Sequence, residues 1–154
     1  MAGKPTVEKV AAYITHRGRL LVFRHVAQPE AGIQVPAGTV EPGETPEAAV
    51  LREAWEETGL TSLVLNAYLG PREYDLTDLG LPVIQRRHYF HLVASGNPPE
   101  RWPHFEMSPS DGSAEPIEFE LYWVRIPEEI PELSGRLGDM LAEISPLLDS
   151  AEAG

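Results

Sequence analysis

Three glutamates, Glu53, Glu56 and Glu57, lie in a segment that carries the start and stop signals of an α-helix. At about 100° per residue, Glu56 lies about 60° to one side of Glu53 and Glu57 about 40° to the other. The carboxylates therefore share one stripe of the helix, where like charges at i,i+3 and i,i+4 repel. A hard divalent cation such as Mg²⁺ offsets this repulsion because it selects carboxylate oxygens and water. The spacing favours a metal site.

The helix that presents these carboxylates has clear ends in the sequence. Thr45 is a suitable N-cap, Pro46 suits the first helical position, and Gly59 supplies the C-terminal stop. A second stripe is expected to pack against a sheet while the glutamates face solvent. That stripe consists of Ala48, Leu51, Ala54, Trp55 and Thr58.

The segment Gly38–Leu60 resembles the signature of the Nudix (MutT-like) hydrolases at every specified position. The signature reads Gly, five residues, Glu, seven residues, Arg-Glu, an apolar residue, any residue, Glu-Glu, any residue, Gly, and an apolar residue. In this chain the positions are Gly38, Glu44, Arg52, Glu53, Ala54, Glu56, Glu57, Gly59 and Leu60. The order of the elements around the segment also resembles that family.

The resemblance implies a role for each of the charged positions of the signature. Catalytic Mg²⁺, with Mn²⁺ as a substitute, would be held by Glu53, Glu56 and Glu57. Arg52 would orient one of these glutamates through a salt bridge, and Glu44 would support the loop or join the outer metal shell. Gly38 would let the backbone approach the metal, since no Cβ intervenes.

The implied activity is hydrolysis of a diphosphate bond in a nucleoside diphosphate linked to another moiety, by attack of water at phosphorus. A carboxylate takes the proton, and in the family it often comes from a loop before a late strand. Glu115 is the first choice here, because it ends a long loop just ahead of a strand. The alternatives are Glu118, Glu120, Glu106, and Glu56 or Glu57.

Several arginines are candidates for binding the outer phosphates of such a substrate. Arg24, Arg72 and Arg87 are the predicted substrate-binding residues. Arg86 and Arg87 face opposite sides of their strand, so at most one points into the site. Aromatic candidates for stacking on a base are Trp102, Phe105 and Tyr74. Nucleotide sugars, dinucleoside polyphosphates and damaged nucleoside triphosphates all remain open as substrates.

The elements that position these residues predict an α/β fold. Residues Val10–Thr15 and Arg19–Val26 are typical of a β-hairpin, and Ile33–Val35 of a short strand. Later strands are expected at Leu63–Leu69, Val83–Ala94 and Phe119–Ile126, a long loop at Ser95–Ile117, and an amphipathic helix over Leu133–Ile144 that ends at Pro146. The resemblance implies a Nudix-type α/β/α sandwich with a mixed β-sheet and a loop-helix-loop motif, forming a single domain over residues 1–154.

Composition narrows the classes of partner. The chain has 154 residues, 42% of them apolar, and no cysteine, which excludes disulfides and thiolate metal sites. Its formal charge of −12 repels nucleic acid polymers and anionic membranes. No secretory signal or bilayer-spanning run is apparent, so a cytoplasmic location and a small-molecule substrate are expected. Family members often form homodimers, but no residue pattern marks an interface.

Two other classes of function stay open from the sequence. The first is a catalytically silent Nudix-like module that binds a nucleotide, although such modules usually lose carboxylates that this chain retains. The second is an interaction protein whose acidic helix binds calcium or a basic partner. An interaction protein of that kind does not explain why Gly38 and Glu44 lie at the positions that the signature specifies before the helix glutamates.

Overall fold

The structure, a computed structural model, describes residues 3–106 and 115–152. An eight-stranded sheet lies between one α-helix and a C-terminal segment. The strands are β1 Thr6–His16, β2 Arg19–His25, β3 Ile33–Gln34, β4 Ala37–Thr39, β5 Leu63–Asp75, β6 Ile84–Ala94, β7 Arg101–Glu106 and β8 Ile117–Arg125. The helices are α1 Pro46–Thr58 and α2 Ser145–Glu152, and 3₁₀ turns occupy Pro29–Ala31, Thr77–Leu79, Ser134–Arg136 and Leu141–Glu143.

The sheet is mixed, with the strand order β5-β6-β1-β2-β8-β7. β1 and β6 run parallel, whereas the other pairs are antiparallel. The predicted hairpin of β1 and β2 is confirmed, but the two strands pair only beside their turn, at Thr15–His16 and Arg19–Leu20. Beyond the turn β4 pairs with β1 and β3 pairs with β2. The segment leading into α1 therefore begins inside the sheet.

Two apolar cores lie on opposite faces of this sheet, because successive residues of a strand point to opposite sides. On β1, Val10, Ala12 and Ile14 pack in the core that includes Ala49, Val50 and Ala54 of α1. The intervening Ala11 and Tyr13 pack against the C-terminal segment, through Leu137, Met140 and Ile144. This layering confirms the α/β/α sandwich with a mixed sheet.

The prediction of an unbroken loop over Ser95–Ile117 is wrong, because residues 101–106 form the strand β7. Its proline, Pro103, argued against a strand in the sequence. However, β7 lies at the edge of the sheet and pairs only with β8, where a missing N–H is tolerated. Residues 107–114 of that segment lie outside the described residues.

The prediction of an amphipathic helix over Leu133–Ile144 is also wrong. Two 3₁₀ turns occupy this segment, and α2 begins where the helix was expected to end. Gly135 and Arg136 both have positive φ, 62° and 61°, which interrupts a right-handed helix. The apolar spacing is still explained, since Leu133, Leu137, Met140 and Ile144 are buried. In the described part of the chain, no helix has the length and apolar character needed to cross a bilayer.

Candidate functional site

Helix α1 begins and ends as the sequence predicts. The Thr45 hydroxyl accepts a hydrogen bond from the N–H of Ala48 at 3.1 Å, and Pro46 opens the helix. Gly59 adopts the left-handed conformation with φ 77°, and its N–H donates to the Trp55 carbonyl at 2.8 Å. These caps fix the length of α1, and with it the positions of the glutamates.

The buried face of α1 differs from the predicted one. Trp55 is 56% exposed and Leu51 is exposed as well, whereas Glu53 is only 4% exposed. The expectation that the glutamates face bulk solvent is therefore wrong for Glu53 and for the buried Glu57. Ala49, Val50 and Ala54 pack in the core instead, so the buried stripe of the helix is the one that includes Glu53 and Glu57.

Carboxylates from two elements converge at this face. Single oxygens of Glu53, Glu56 and Glu106 all lie within 4.8 Å of one another. Glu106 ends β7 and is buried, with 7% of its surface exposed. The sequence ranked Glu106 below Glu115 as a candidate acid, because β7 itself was missed.

Two side chains of β7 attach this strand to the C-terminal end of α1. The indole Nε1 of Trp102 donates to the Thr58 carbonyl at 2.8 Å, and Nε2 of His104 donates to the Glu56 carbonyl at 2.7 Å. Both acceptors belong to the last turn, where helix carbonyls lack intrahelical partners. Because Trp102, His104 and Glu106 alternate along β7, they share a side, and this docking places Glu106 beside the helix carboxylates.

Strand β4 lines the opposite side of the carboxylate cluster. A Cβ on Gly38 would overlap the carboxyl group of Glu53, so only glycine fits there. The neighbouring N–H of Ala37 donates to Oε1 of Glu57 at 2.8 Å. The backbone of β4 thus approaches Glu53 directly and orients Glu57.

Arg52 connects the loop before α1 to the carboxylates. Its guanidinium donates to both oxygens of Glu44 at 2.8 and 2.9 Å, and to the Thr39 carbonyl at 3.0 Å. Its Nη1 donates to Glu53 at 2.8 Å and to Glu56 at 3.3 Å. One arginine therefore orients two of the predicted metal ligands and fixes the loop at the same time.

The cluster is unfavourable as a set of bare charges. Burial raises the pKa of Glu57 well above its usual value, and the nearby Glu106 raises it further, against the lowering effect of the Ala37 N–H. Burial also raises the pKa of Glu53, although the hydrogen bond from Arg52 opposes this. Buried carboxylates that repel each other accept a cation readily. All the donors are oxygens, and this set fits Mg²⁺ or Mn²⁺.

The three predicted substrate arginines have different environments. Arg24 forms an ion pair with Glu120 at 2.7 Å on the β2–β8 side of the sheet. Arg72 lies opposite Arg87 on β5, and its Nε contacts Sδ of Met140 at 3.0 Å. Of these three, Arg87 lines a cavity with Gly38. The structure brings only Arg87 to the edge of the carboxylate cluster.

The remaining candidates for proton acceptor lie outside that cluster. Glu115 is exposed just before β8, and Glu118 is half-buried. Glu120 binds Arg24 and Arg101, whose hydrogen bonds lower its pKa to about 2. Lys9 is a residue that the sequence reasoning missed, since it lines the cavity of Gly38 and Arg87. The signal available for it was its position in β1, directly before the apolar run that begins at Val10.

Comparisons with known proteins identify the family to which the chain is similar. Residues 5–143 match the family described as the NUDIX domain. An RNA pyrophosphohydrolase of Rhodospirillum rubrum is 38% identical over 79 residues, which are 50% of this chain and 47% of that protein. An RNA pyrophosphohydrolase of Roseobacter denitrificans is 48% identical over 44 residues, 29% of this chain and 28% of that protein. The matched part spans less than half the length of these curated relatives.

Solved structures share the fold at lower identity. The MutT protein of Methanosarcina mazei Go1 superposes with a TM-score of 0.62 at 23% identity, over 96% of this chain and 98% of that one. A UDP-X diphosphatase superposes with a TM-score of 0.64 at 18% identity, over 99% of this chain and 67% of that one. At these identities the likeness concerns the fold.

Proposed function

The chain belongs to the Nudix family, and we propose that it hydrolyses a diphosphate bond in a small nucleotide-like molecule with Mg²⁺, for which Mn²⁺ can substitute. The observation that carries this proposal is the convergence of Glu53, Glu56 and Glu106 within 4.8 Å. Glu57 and the backbone of Gly38 complete the proposed site.

We propose that Glu53, Glu56 and Glu57, with the carbonyl of Gly38, hold the cation. The absence of a Cβ at Gly38 leaves the backbone in contact with the Glu53 carboxyl group, as such a site requires. When bound, the cation offsets the charge of the diphosphate and lowers the pKa of a water molecule. Arg52 keeps Glu53 and Glu56 oriented, and the Ala37 N–H keeps Glu57 oriented.

We propose Glu106 as the group that accepts the proton from the attacking water. Glu106 lies among the helix carboxylates but comes from a separate strand, so it can accept a proton without being one of the three glutamates proposed to hold the cation. Glu115, the first choice from sequence, is exposed. The comparison between Glu106→Gln and Glu115→Gln therefore tests the assignment: we expect kcat to fall about a hundredfold in the first and to stay near wild type in the second.

A small substrate is favoured over RNA by the charge of −12, which repels a polyanion over a distance of several ångströms. The relatives named RNA pyrophosphohydrolase make RNA the second candidate. Phosphate release should be compared over nucleotide sugars, dinucleoside polyphosphates, nucleoside triphosphates and an RNA oligonucleotide with a triphosphate end. A preference for the RNA would contradict the small-molecule assignment.

The central test is Glu53→Gln, with Glu47→Gln as its matched control on the exposed side of the same helix. We expect the first variant to lose about a hundredfold or more in Mg²⁺-dependent hydrolysis, and the second to behave as wild type. Because Glu53 is buried, circular dichroism must confirm that both variants fold. An unchanged rate in folded Glu53→Gln would count against the proposed activity, and binding without turnover in the wild type would favour the silent module.

A further inference from the structure

Lys9 and Arg87 lie side by side at the edge of the proposed metal site. They are direct partners in the parallel pairing of β1 with β6, so their side chains leave the same face of the sheet. Together with Gly38 they line a cavity of about 160 Å³. Lys9 also pairs with Thr39, the residue after Gly38. Two cations therefore border the carboxylate cluster.

Among the side chains that the structure describes, neither cation forms an ion pair with a carboxylate. In residues 3–106 and 115–148, no carboxylate lies within 4.0 Å of Lys9 or Arg87. The adjacent Arg86, on the other face of β6, binds both Glu8 and Glu73. Burial lowers the pKa of Lys9, and the positive charge of Arg87 lowers it further. The charge of Glu53 opposes these two effects on the pKa of Lys9 without forming an ion pair with its ammonium group. In a protein of charge −12, two adjacent cations that form no ion pair within the described residues are arranged for an external anion.

Neutral groups hold both side chains in place. The Arg87 guanidinium donates to the Gly135 carbonyl at 2.9 Å, the Tyr89 hydroxyl at 3.0 Å and Oε1 of Gln85 at 3.1 Å. The Lys9 ammonium donates to the Thr39 hydroxyl at 2.6 Å. These acceptors orient the cations without cancelling their charge, and each cation keeps further N–H groups for a ligand. This is the preorganisation that anion binding benefits from.

A larger cleft shares two lining residues with this cavity. Gln85 and Arg87 also line a space of about 420 Å³, together with Tyr74, Leu79 and Arg136. Leu79 is 76% exposed and offers an apolar wall. The Tyr74 ring already contacts the guanidinium groups of Arg87 and Arg136, at 5.1 and 5.2 Å from its centroid. Tyr74 is therefore part of the wall and not a free platform for a base.

We propose that Lys9 and Arg87 bind the phosphate of the substrate that lies away from the carboxylates, and that the cleft beside Leu79 holds the organic group attached to it. The proposal rests on the proposed function, and it adds the direction in which the substrate lies. A site of this kind selects diphosphates with a bulky organic group of nucleoside size over inorganic pyrophosphate.

Two non-hydrolysable probes separate these subsites: methylenediphosphonate, which has no organic group, and α,β-methylene-ADP. Isothermal titration calorimetry with Mg²⁺ should show that Lys9→Met and Arg87→Gln each weaken both probes about tenfold or more. Lys9→Arg, which keeps the charge, should bind within a few-fold of wild type. Leu79→Ser should weaken only the nucleotide probe. Arg86→Gln is the matched control, since its side chain faces away, and it should bind both probes normally.

The readouts distinguish this proposal from the proposed function. Mn²⁺ affinity, measured without any probe by electron paramagnetic resonance, should be lost in Glu53→Gln and retained in Lys9→Met and Arg87→Gln. Wild-type probe affinity in folded Lys9→Met and Arg87→Gln, or failure of the wild type to bind either probe, would overturn the phosphate assignment even if hydrolysis is observed. If the wild type hydrolyses none of the substrates tested but still binds the probes in a way that depends on Lys9, the proposed activity is wrong. The phosphate-binding assignment is then retained.

Discussion

Arg52 binds Glu44 through two parallel hydrogen bonds, with its Nε and Nη2 donating to the two carboxylate oxygens at 2.8 and 2.9 Å. Glu44 also accepts from the N–H of Glu41 at 3.0 Å. A planar guanidinium is suited to this fork geometry, which an ammonium cannot reproduce. The loop before α1 is thereby joined to the residue that orients Glu53 and Glu56.

The Glu44 contact predicts a pH dependence of stability. The hydrogen bond from Arg52 lowers the pKa of Glu44 from 4.5 to about 2 in the folded protein. A depressed folded-state pKa contributes stability above the unfolded value, and this contribution is lost as pH falls from about 4.5 toward 2. Urea unfolding of wild type and Glu44→Gln should therefore differ most at neutral pH and converge over that interval. A constant difference down to pH 3 would contradict the assignment.

Gly38→Ala should impair the cation site, because its Cβ would overlap the Glu53 carboxyl group. We expect Mn²⁺ affinity to fall about tenfold or more, since the carboxylate must move or the strand must shift. Gly138→Ala is the matched control, because a Cβ there meets Leu141 at an ordinary 3.5 Å. Equal Mn²⁺ affinities in the two variants would show that the close approach is not required.

Trp102→Phe should loosen the attachment of β7 to α1. The variant leaves the buried Thr58 without the indole donor on its carbonyl, which costs about 1–3 kcal/mol of unfolding free energy. Trp55→Phe makes the same exchange at an exposed position and should cost less than about 0.5 kcal/mol. Urea unfolding measures both. Similar values for the two variants would mean that β7 does not depend on this bond.

Ile144→Ala should destabilise the protein although its segment is not a long helix. Ile144 is fully buried in the second core, and removing its side chain should cost about 2–5 kcal/mol. Leu79→Ala is the comparison at an exposed position, with an expected change below about 0.5 kcal/mol. Thermal or urea unfolding measures the loss of unfolding free energy in both variants. A small loss in Ile144→Ala would contradict the packing of the C-terminal segment.

The helix of the site could be predicted because its signals are local. Thr45, Pro46 and Gly59 act within a few residues of themselves, and the spacing of Glu53, Glu56 and Glu57 depends only on helix geometry. The side that is buried could not be predicted from apolar periodicity alone. Contact between α1 and β4 draws the carboxylates inward, and leaves Leu51 and Trp55 exposed.

The features of the site that could not be predicted from the sequence depend on contacts between residues that are far apart in the chain. Glu106 joins the cluster because Trp102 and His104 donate hydrogen bonds to carbonyls of α1. No local sequence pattern predicts these hydrogen bonds. The proline of β7 is acceptable only at a sheet edge, which is a property of strand order. Lys9 meets Arg87 through the parallel register of β1 and β6, and the sequence does not specify that register.

The proposed metal site combines the backbone of Gly38 in β4 with carboxylates of α1 and β7, and a long stretch of chain separates α1 from β7. An unfolded chain cannot bring Gly38, Glu53 and Glu106 together, so only the native state offers the complete set of oxygens. By mass action, a ligand that binds the native state alone raises the free energy of unfolding. The proposed cation site would thus couple conformational stability to the ionic environment, and we expect the melting temperature to rise with the concentration of divalent cation.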